Sequence, residues 1–383
     1  MLLSIKKLSR LVIFKIIDLL IFPDRNVRKG TILLIRLDAI GDYILFRNFI
    51  KVLRESGKYK GYKITLVGNV VWRNLSENLD KECIDEFIWV DKNKFNDILC
   101  YRHKKLKELS KYAYEVIINP VFSREFMFSD WIVNMVYAED KIGSKGDLSN
   151  SKGWQKYIGD SFYTRLLPAS DFFLFEFTRN REFFEILLSE KIQIKRTFID
   201  LKKITLNTLL PEKFVVLFLG SSTEYSKWPS NKFAKVAEYL NKKYLLDIVL
   251  CGGPGDVDIA KKVKKNFKRC LDLVGKTSLV ELAAIIGRAK LIVSNETSAP
   301  HLAIATDTKC VVIYNGNHFG RFTPYPIEIS DKYDVVYHPK IKHNIQEYEI
   351  LSNSYGYSSN LNINDIEVED VKSSIDKFLV ETF

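Results

Sequence analysis

Residues 31–46 read TILLIRLDAIGDYILF: an apolar run, a break at Asp38-Ala39-Ile40-Gly41-Asp42, then helical spacing from Tyr43 to Glu55. A short apolar run, a glycine turn and an amphipathic stretch make the opening of a βα unit. Working outward, ITLVGN (64–69), FIWV (87–90) and EVIINP (115–120) read as further strands separated by helical stretches. Apolar strands alternating with helices indicate a parallel sheet covered on both faces. Residues 121–200 are aromatic-rich and read as mostly helical, with a loop around 143–153 and an amphipathic helix over 176–190.

The pattern then restarts. FVVLFLG (214–220), LDIVLCGG (246–253), KLIVSN (290–295) and CVVIYNG (310–316) read as strands. NKFAKVAEYLNKKY (231–244), VDIAKKVKKNF (257–267), SLVELAAIIGRA (278–289) and APHLAIAT (299–306) read as helices. This is a second parallel α/β domain starting near residue 205, and DVKSSIDKFLVETF (370–383) reads as a closing helix. A chain of 383 residues suits two domains of ~100–200 residues each. The predicted organisation is an amphipathic helix (1–28), a first Rossmann-like domain (29–204), a second (205–330) and a C-terminal extension (331–383). In such sheets ligands bind outside the carboxyl ends of the strands.

The composition, 46% hydrophobic and 27% charged, excludes a disordered chain, a collagen-like chain and a small disulfide scaffold. Lys and Arg total 58 against 47 Asp and Glu, a net charge of +11 that suits phosphates, nucleic acid or an acidic membrane. The five cysteines have no C-x-x-C spacing and read as reduced thiols of a cytosolic protein, with no zinc motif. Gly275-Lys276-Thr277 resembles the end of a P-loop, but Cys270 stands where its first glycine is required. The basic surplus lacks the aromatic-interleaved patches of an RNA-binding module, so no nucleic-acid partner is expected.

The first 22 residues, MLLSIKKLSRLVIFKIIDLLIF, are interrupted by Lys15 and Asp18 and are too short an apolar run to span a membrane. No small-x-small cleavage site follows, which argues against a signal peptide. At about 100° per residue, Lys6, Lys7, Arg10, Lys15 and Asp18 fall on one half of a helix. Leu2, Ile5, Leu8, Val12, Ile13, Ile16, Leu19 and Leu20 fall on the other. That is the pattern of a basic helix lying on an anionic membrane, the alternative being a helix packed on its own domain. The preferred reading is a cytoplasmic protein held peripherally on the inner face of the cell membrane.

Four loops carry candidate chemistry. Asp42, at the carboxyl edge of the first strand, reads as a helix N-cap or a general base, and Asp38 is a second candidate. In SSTEYSKWPSNKF (221–233), Ser221, Ser222 and the helix N–H groups can hold phosphate oxygens, and Lys227 adds a positive charge. In CGGPGD (251–256), Gly252 and Gly253 allow close approach of a ligand. Asp256 there either bonds a ribose hydroxyl or caps the next helix. In IVSNETSAPHLA (292–303), Glu296, Thr297, Ser298 and Ala299 lead into a helix whose N-terminus favours a phosphate. His301 serves packing, capping or a phosphate contact.

Taken together and in this order, these segments resemble glycosyltransferase family 9, the heptosyltransferases of lipopolysaccharide core assembly. The resemblance rests on ILLIRLDAIGDYIL (32–45), SKWPSNKF (226–233), CGGPGD (251–256), DLVGKTSLVELAAII (272–286) and SNETSAPHLAIA (294–305). It implies a GT-B fold: two Rossmann-like parallel-sheet domains facing across a cleft, the first binding the acceptor and the second the nucleotide-sugar. It implies an inverting, metal-independent transfer with no cofactor, ADP-heptose being the expected co-substrate and a lipid-linked saccharide the acceptor. By position Asp42 matches the family's catalytic aspartate and Lys227 a lysine near the donor diphosphate. Glu296, Thr297, Ser298, Ala299 and His301 match the donor-binding stretch, and Asp256 lies where an acidic residue near the ribose is expected. Glu296 stands where the family has Asp, and Ser298 where it has Gly. A nucleotide-sugar epimerase or hydrolase on the same scaffold, or a non-catalytic sugar-binding protein of the membrane surface, are the competing readings.

Overall fold

The computed structural model describes residues 12–18, 20–221 and 223–380. The chain divides into two compact units. The first takes in the described residues up to Tyr43, with Phe49–Ser170 and Arg179–Ile192. The second takes in Ile44–Asn48, Asp171–Thr178 and the described residues from Gln193 on.

The first unit is built on β1 (Val27–Arg36), β2 (Lys63–Asn69), β3 (Glu86–Val90), β4 (Ala113–Asn119), β5 (Ala138–Ser144) and β6 (Arg165–Leu167). They form one parallel sheet in the order β3-β2-β1-β4-β5-β6. This is the Rossmann order, with its topological switch between β1 and β4. Its core gathers Leu33, Ile35, Val67, Ile88, Ile117 and Ile132. Gly68 has a packing reason: a side chain there would run into the rings of Trp72 and Trp89. Trp72 stacks on Tyr43, ring centroids 3.9 Å apart, and so braces the helix that opens after β1.

The second unit repeats the plan with β7 (Phe214–Phe218), β8 (Asp247–Cys251), β9 (Cys270–Asp272), β10 (Leu291–Asn295), β11 (Cys310–Tyr314) and β12 (Tyr333–Tyr337). Its parallel order, β12-β11-β10-β7-β8-β9, puts the switch between β7 and β10. The helix Ser230–Tyr244 packs Phe233, Val236 and Leu240 into the core beside Val215, Leu250 and Val293. The closing helix Val368–Leu379 adds Val371, Ile375 and Leu379 to the same core.

Four strands do not follow from sequence pattern. β5 (AEDKIGS) lies in the stretch read as helical and loop, and Ile142 is its one large aliphatic residue. β6 and β9 are three residues long, and β12 is a partly exposed edge. Each is held by hydrogen bonds to a neighbouring strand; β5 and β9 carry little apolar pattern, while β6 and β12 hold only short apolar pairs, Leu166-Leu167 and Val335-Val336, which the sequence reading passed over. Cys251 and Cys310 are buried at strand ends, whereas Cys100 is exposed; all five thiols are free.

The N-terminal arm corrects one expectation. Residues 12–18 are helical, but Asp18 faces inward and is almost wholly buried. Its Oδ2 accepts from Arg102 Nε (3.1 Å), Arg102 Nη2 (3.0 Å) and Trp131 Nε1 (2.6 Å). Arg102 is equally buried and lies against the faces of Phe14 and Phe95. Val12, Ile13, Ile16 and Leu20 point to solvent instead. The other residues on which the basic helix was read, up to Leu11 and at Leu19, lie outside the described residues. Among the described residues no helix is long and apolar enough to cross a membrane.

A buried ion pair broken on one side leaves an uncompensated charge. Asp18→Asn should therefore cost about 3–5 kcal/mol of stability. Replacing the exposed Lys15 with Gln should change stability by less than about 0.5 kcal/mol. Urea unfolding of the two variants measures the contrast, and equal midpoints would mean that the Asp18–Arg102 contact does not anchor the arm.

Candidate functional site

In the first unit the carboxyl end of β1 runs into the loop Leu37-Asp38-Ala39 and the helix Ile40–Phe46, with Asp42 in its first turn. The loop is held by β2 and the turn after it. Asn69 Nδ2 donates to the carbonyls of Leu37 (3.1 Å) and Asp38 (3.3 Å), and Trp72 Nε1 donates to that of Asp38 (3.1 Å). The Asp38 carboxylate lies 2.9 Å from Nε of Arg36, which has no exposed surface. Arg36 also donates from Nη1 to Asn180 Oδ1 at 3.1 Å. Asp38 is thus a counter-ion of a buried guanidinium. Asp42, half-buried one residue before the stacked Tyr43, stands on a rigid element.

In the second unit the candidate residues fall on three adjacent loops at the carboxyl edge, those after β8, β7 and β10. Their cross-links run from loop to loop. Asp256, buried, accepts from Gly253 N–H through Oδ2 (2.8 Å), and its other oxygen lies 3.8 Å from Lys227 Nζ. A side chain at Gly220 would collide with this carboxylate, and one at Gly252 would meet it at 3.1 Å. Asp256 therefore bonds within its own turn and makes no side-chain cap to the helix Val257–Asn266.

Asn295, fully buried at the end of β10, joins that strand to the loop after β7. Its Nδ2 donates to the carbonyls of Leu219 (3.0 Å) and Gly220 (3.2 Å), and its Oδ1 accepts from Trp228 N–H (3.1 Å). Trp228, also buried, donates from Nε1 to the Ile366 carbonyl at 3.0 Å. The loop is thereby fixed from both sides. Within it Ser221 Oγ is buried with no hydrogen-bond partner among the described residues. Ser222 lies outside the described residues. Lys227 Nζ is 2.7 Å from Glu224, whose carboxylate is mostly in solvent, so this pair is weak and easily exchanged for another anion.

After β10, Thr297 caps the helix Ser298–Ala305, its Oγ1 accepting from Ala299 N–H at 3.1 Å. Pro300 has no N–H, so the unpaired donors of this terminus are narrowed to the backbone around Thr297 and Ser298. His301 is buried, with Nδ1 at 2.7 Å from Tyr325 Oη. Loss of water pulls its pKa down to about 3, so the ring is neutral near pH 7 and acts as a hydrogen-bonding group, not a cation. Glu296 keeps some accessible surface but is crowded by protein. Desolvation pushes its pKa up to about 7, against a hydrogen bond from Asn317 that favours the carboxylate. Tyr314 and Tyr333 are coupled to it, and burial keeps both protonated. Among the described residues no three metal-ligating side chains come together.

Sequence reasoning passed over Asn295, Gly220, Asn315, Asn317 and His318. A signal existed: S-N at 294–295 and N-G-N-H at 315–318 place polar residues directly after apolar strands, where strand ends meet ligands.

The family model described as "Glycosyltransferase family 9 (heptosyltransferase)" matches residues 102–347, more than half of the chain. Lipooligosaccharide heptosyltransferase 2 of Haemophilus influenzae is 26% identical over 115 residues, 29% of this chain and 32% of that protein. The match thus spans about a third of the length of this curated relative. Among solved structures, a glycosyl transferase family 9 protein of Veillonella parvula superposes with TM-score 0.70 at 20% identity, covering 92% of this chain and 98% of that one. The E. coli heptosyltransferase WaaC with ADP gives TM-score 0.69 at 16% identity, covering 91% and 99%. These likenesses agree with the expected fold of two Rossmann-like parallel sheets.

The raised Glu296 pKa has a sign. From about 4.5, its ordinary value, up to about 7 the native state holds the proton more tightly than the unfolded chain, so stability falls as pH rises through that window and stays lower above it. Glu296→Gln removes the penalty. Thermal unfolding at pH 5 and pH 8 should find the variant gaining on the wild type at the higher pH, by roughly 1–3 kcal/mol. A difference independent of pH would show the carboxyl group to be solvated.

Proposed function

Because the chain belongs to glycosyltransferase family 9 (heptosyltransferase), we propose that it is an inverting, metal-independent glycosyltransferase of lipopolysaccharide core assembly. It moves heptose from ADP-heptose to a lipid-linked saccharide. The reading rests above all on one feature: the cross-linked loops at the β7–β10 switch, where an orphaned serine hydroxyl, a loosely paired lysine and a helix terminus converge on one strand edge. That combination suits a diphosphate. In this scheme residues 29–204 bind the acceptor and 205–330 the donor.

An acceptor hydroxyl is a poor nucleophile near pH 7. Asp42 takes its proton as the oxygen attacks the anomeric carbon on the face opposite the leaving group. Asp42 is assigned this role by its position in the loop that resembles the family's Gly-Asp signature, while Asp38 lies against the buried Arg36. The nucleoside diphosphate departs with growing negative charge. Lys227, Ser221 and the N–H groups around Thr297 and Ser298 stabilise it, in place of a divalent ion. Ala299 contributes through packing, since Thr297 already uses its N–H. Gly252 and Gly253 admit the nucleoside, and Asp256 lies beside the ribose. His301 and Glu296 complete the donor contacts.

The partners extend to an anionic membrane surface. The support is the helix over 12–18, whose inner side is pinned by Asp18 while Val12, Ile13, Ile16 and Leu20 stay exposed. Lys15 adds charge of the right sign.

A transfer assay with ADP-heptose and a lipid-linked heptose acceptor tests the chemistry. Asp42→Asn should lower kcat by about 10²–10⁴-fold with donor affinity unchanged. Lys227→Ala should weaken ADP binding and slow transfer by about 10²–10³-fold. Chelation with EDTA should leave the rate unaltered, and the product should carry the opposite anomeric configuration by NMR. Wild-type kcat in the Asp42 variant would place the base elsewhere. Vesicle sedimentation tests the membrane contact. Replacing Ile13, Ile16 and Leu20 with Ser should release the protein from anionic vesicles without touching the buried Asp18, and unchanged partitioning would count against membrane docking.

A further inference from the structure

The strand order of the second unit works as a ruler. The ends of β8, β7, β10 and β11 lie side by side, and three strand spacings span about 14 Å. A nucleotide-sugar is a line of three parts: nucleoside, diphosphate, sugar. The reading above puts the nucleoside at the glycines after β8 and the diphosphate at the β7–β10 switch. Continuing along the edge, the third part reaches the loop after β11.

That loop, Asn315-Gly316-Asn317-His318-Phe319-Gly320, is built unlike a surface turn. Gly316, His318 and Gly320 all have positive φ, and His318 does so (φ 58°) with a side chain that disfavours it. Strain of this kind persists only where surroundings enforce it, and they do here. Asn315 is buried and donates from Nδ2 to the carbonyls of Leu361 (3.1 Å) and Tyr225 (3.3 Å). Ser359 donates from Oγ to the Asn315 carbonyl (2.6 Å) and from its N–H to Asn317 Oδ1 (3.3 Å). With its oxygen so occupied, Asn317 is oriented to hydrogen-bond the carboxyl group of Glu296.

His318 supplies the chemical clue. Its ring has a hydrogen bond to the backbone of Gly356 that favours protonation, so a ring N–H donates to that carbonyl. Burial and the nearby Arg321 favour the neutral ring. The other nitrogen, Nδ1, is then a bare acceptor, and it is buried with no partner among the described residues. A phosphate oxygen near neutral pH accepts hydrogen bonds and cannot satisfy it. A hydroxyl group can. The neighbouring carboxyl of Glu296 likewise suits hydroxyl donors.

We infer that the loop after β11, through His318 and through Asn317 acting on Glu296, reads the hydroxyl groups of the transferred sugar and contributes nothing to nucleotide affinity. The inference rests on the donor reading above and deepens it: His318 is a specificity residue and Asn317 a positioning residue. It assigns the strained loop a ligand.

Calorimetric titration of the full chain with ADP and with ADP-heptose separates the possibilities. The wild type should bind ADP-heptose more tightly than ADP. His318→Gly, which removes the ring and accepts the positive φ, and Asn317→Ala should each weaken ADP-heptose by about tenfold and leave ADP within twofold. Unaltered ADP binding shows that the variants are folded. His318→Asn, which tolerates this backbone and retains an acceptor, should restore part of the loss. Equal losses for both ligands, no loss for either, or a wild type indifferent to the sugar would overturn the inference while leaving the donor site standing. A wild type that binds neither ligand would remove the donor reading, and this one with it.

Discussion

One amide holds the candidate donor site together. Asn295 is buried at the end of β10, with both donor hydrogens and its acceptor engaged by the loop after β7. It bridges the point where the chain reverses its direction of travel across the sheet, which is where a parallel sheet opens a crevice. A buried polar group rigidifies its surroundings only when it is fully satisfied, and this one is. From it the constraint spreads outward. Trp228 carries it to Ile366, and Asp256 spans the turn after β8 beside Gly220. Asn315 and Ser359 tie in the loop after β11. The closing segment of the chain thus ties these loops together through Ser359, Leu361 and Ile366.

The electrostatics of that edge are leaner than the net charge of +11 suggests. Lys227 lies between Glu224 and Asp256, His301 is neutral, and Glu296 titrates near pH 7. Besides Lys227, that edge offers fixed dipoles: the terminus of the helix Ser298–Ala305 and the buried hydroxyl of Ser221. In the first unit the same economy appears in another form. Arg36 is buried, and Asp38 balances it.

The N-terminal helix shows how a tertiary partner overrides a helical wheel. Lys15 and Asp18 look like one polar face, yet only Lys15 meets water. Arg102 and Trp131, more than eighty residues distant, draw Asp18 inward, and Phe14 follows it. Val12, Ile13, Ile16 and Leu20 are left as a face that no other described residue covers. A wheel drawn from local spacing has no access to this, because the competing attraction comes from elsewhere in the chain.

What the sequence alone determined was the repeated βα grammar. Apolar runs such as TILLIRL and FVVLFLG, punctuated by glycine and followed by amphipathic helices, admit little besides two parallel sheets, because local burial and turn chemistry agree at each step. It also offered Asp42, Lys227 and the stretch from Glu296 to His301 as candidates, since strand-end loops are short and their polar residues conspicuous. Only the tertiary structure decided that Asp38 pairs with Arg36, that β5, β6, β9 and β12 are strands, and that Asn295, Asn317 and His318 stand at the same strand edge as the candidate residues. Those outcomes depend on hydrogen bonds and ion pairs between residues far apart in the chain. Their energies arise when the sheet brings them together, and no periodicity or motif in one segment records them.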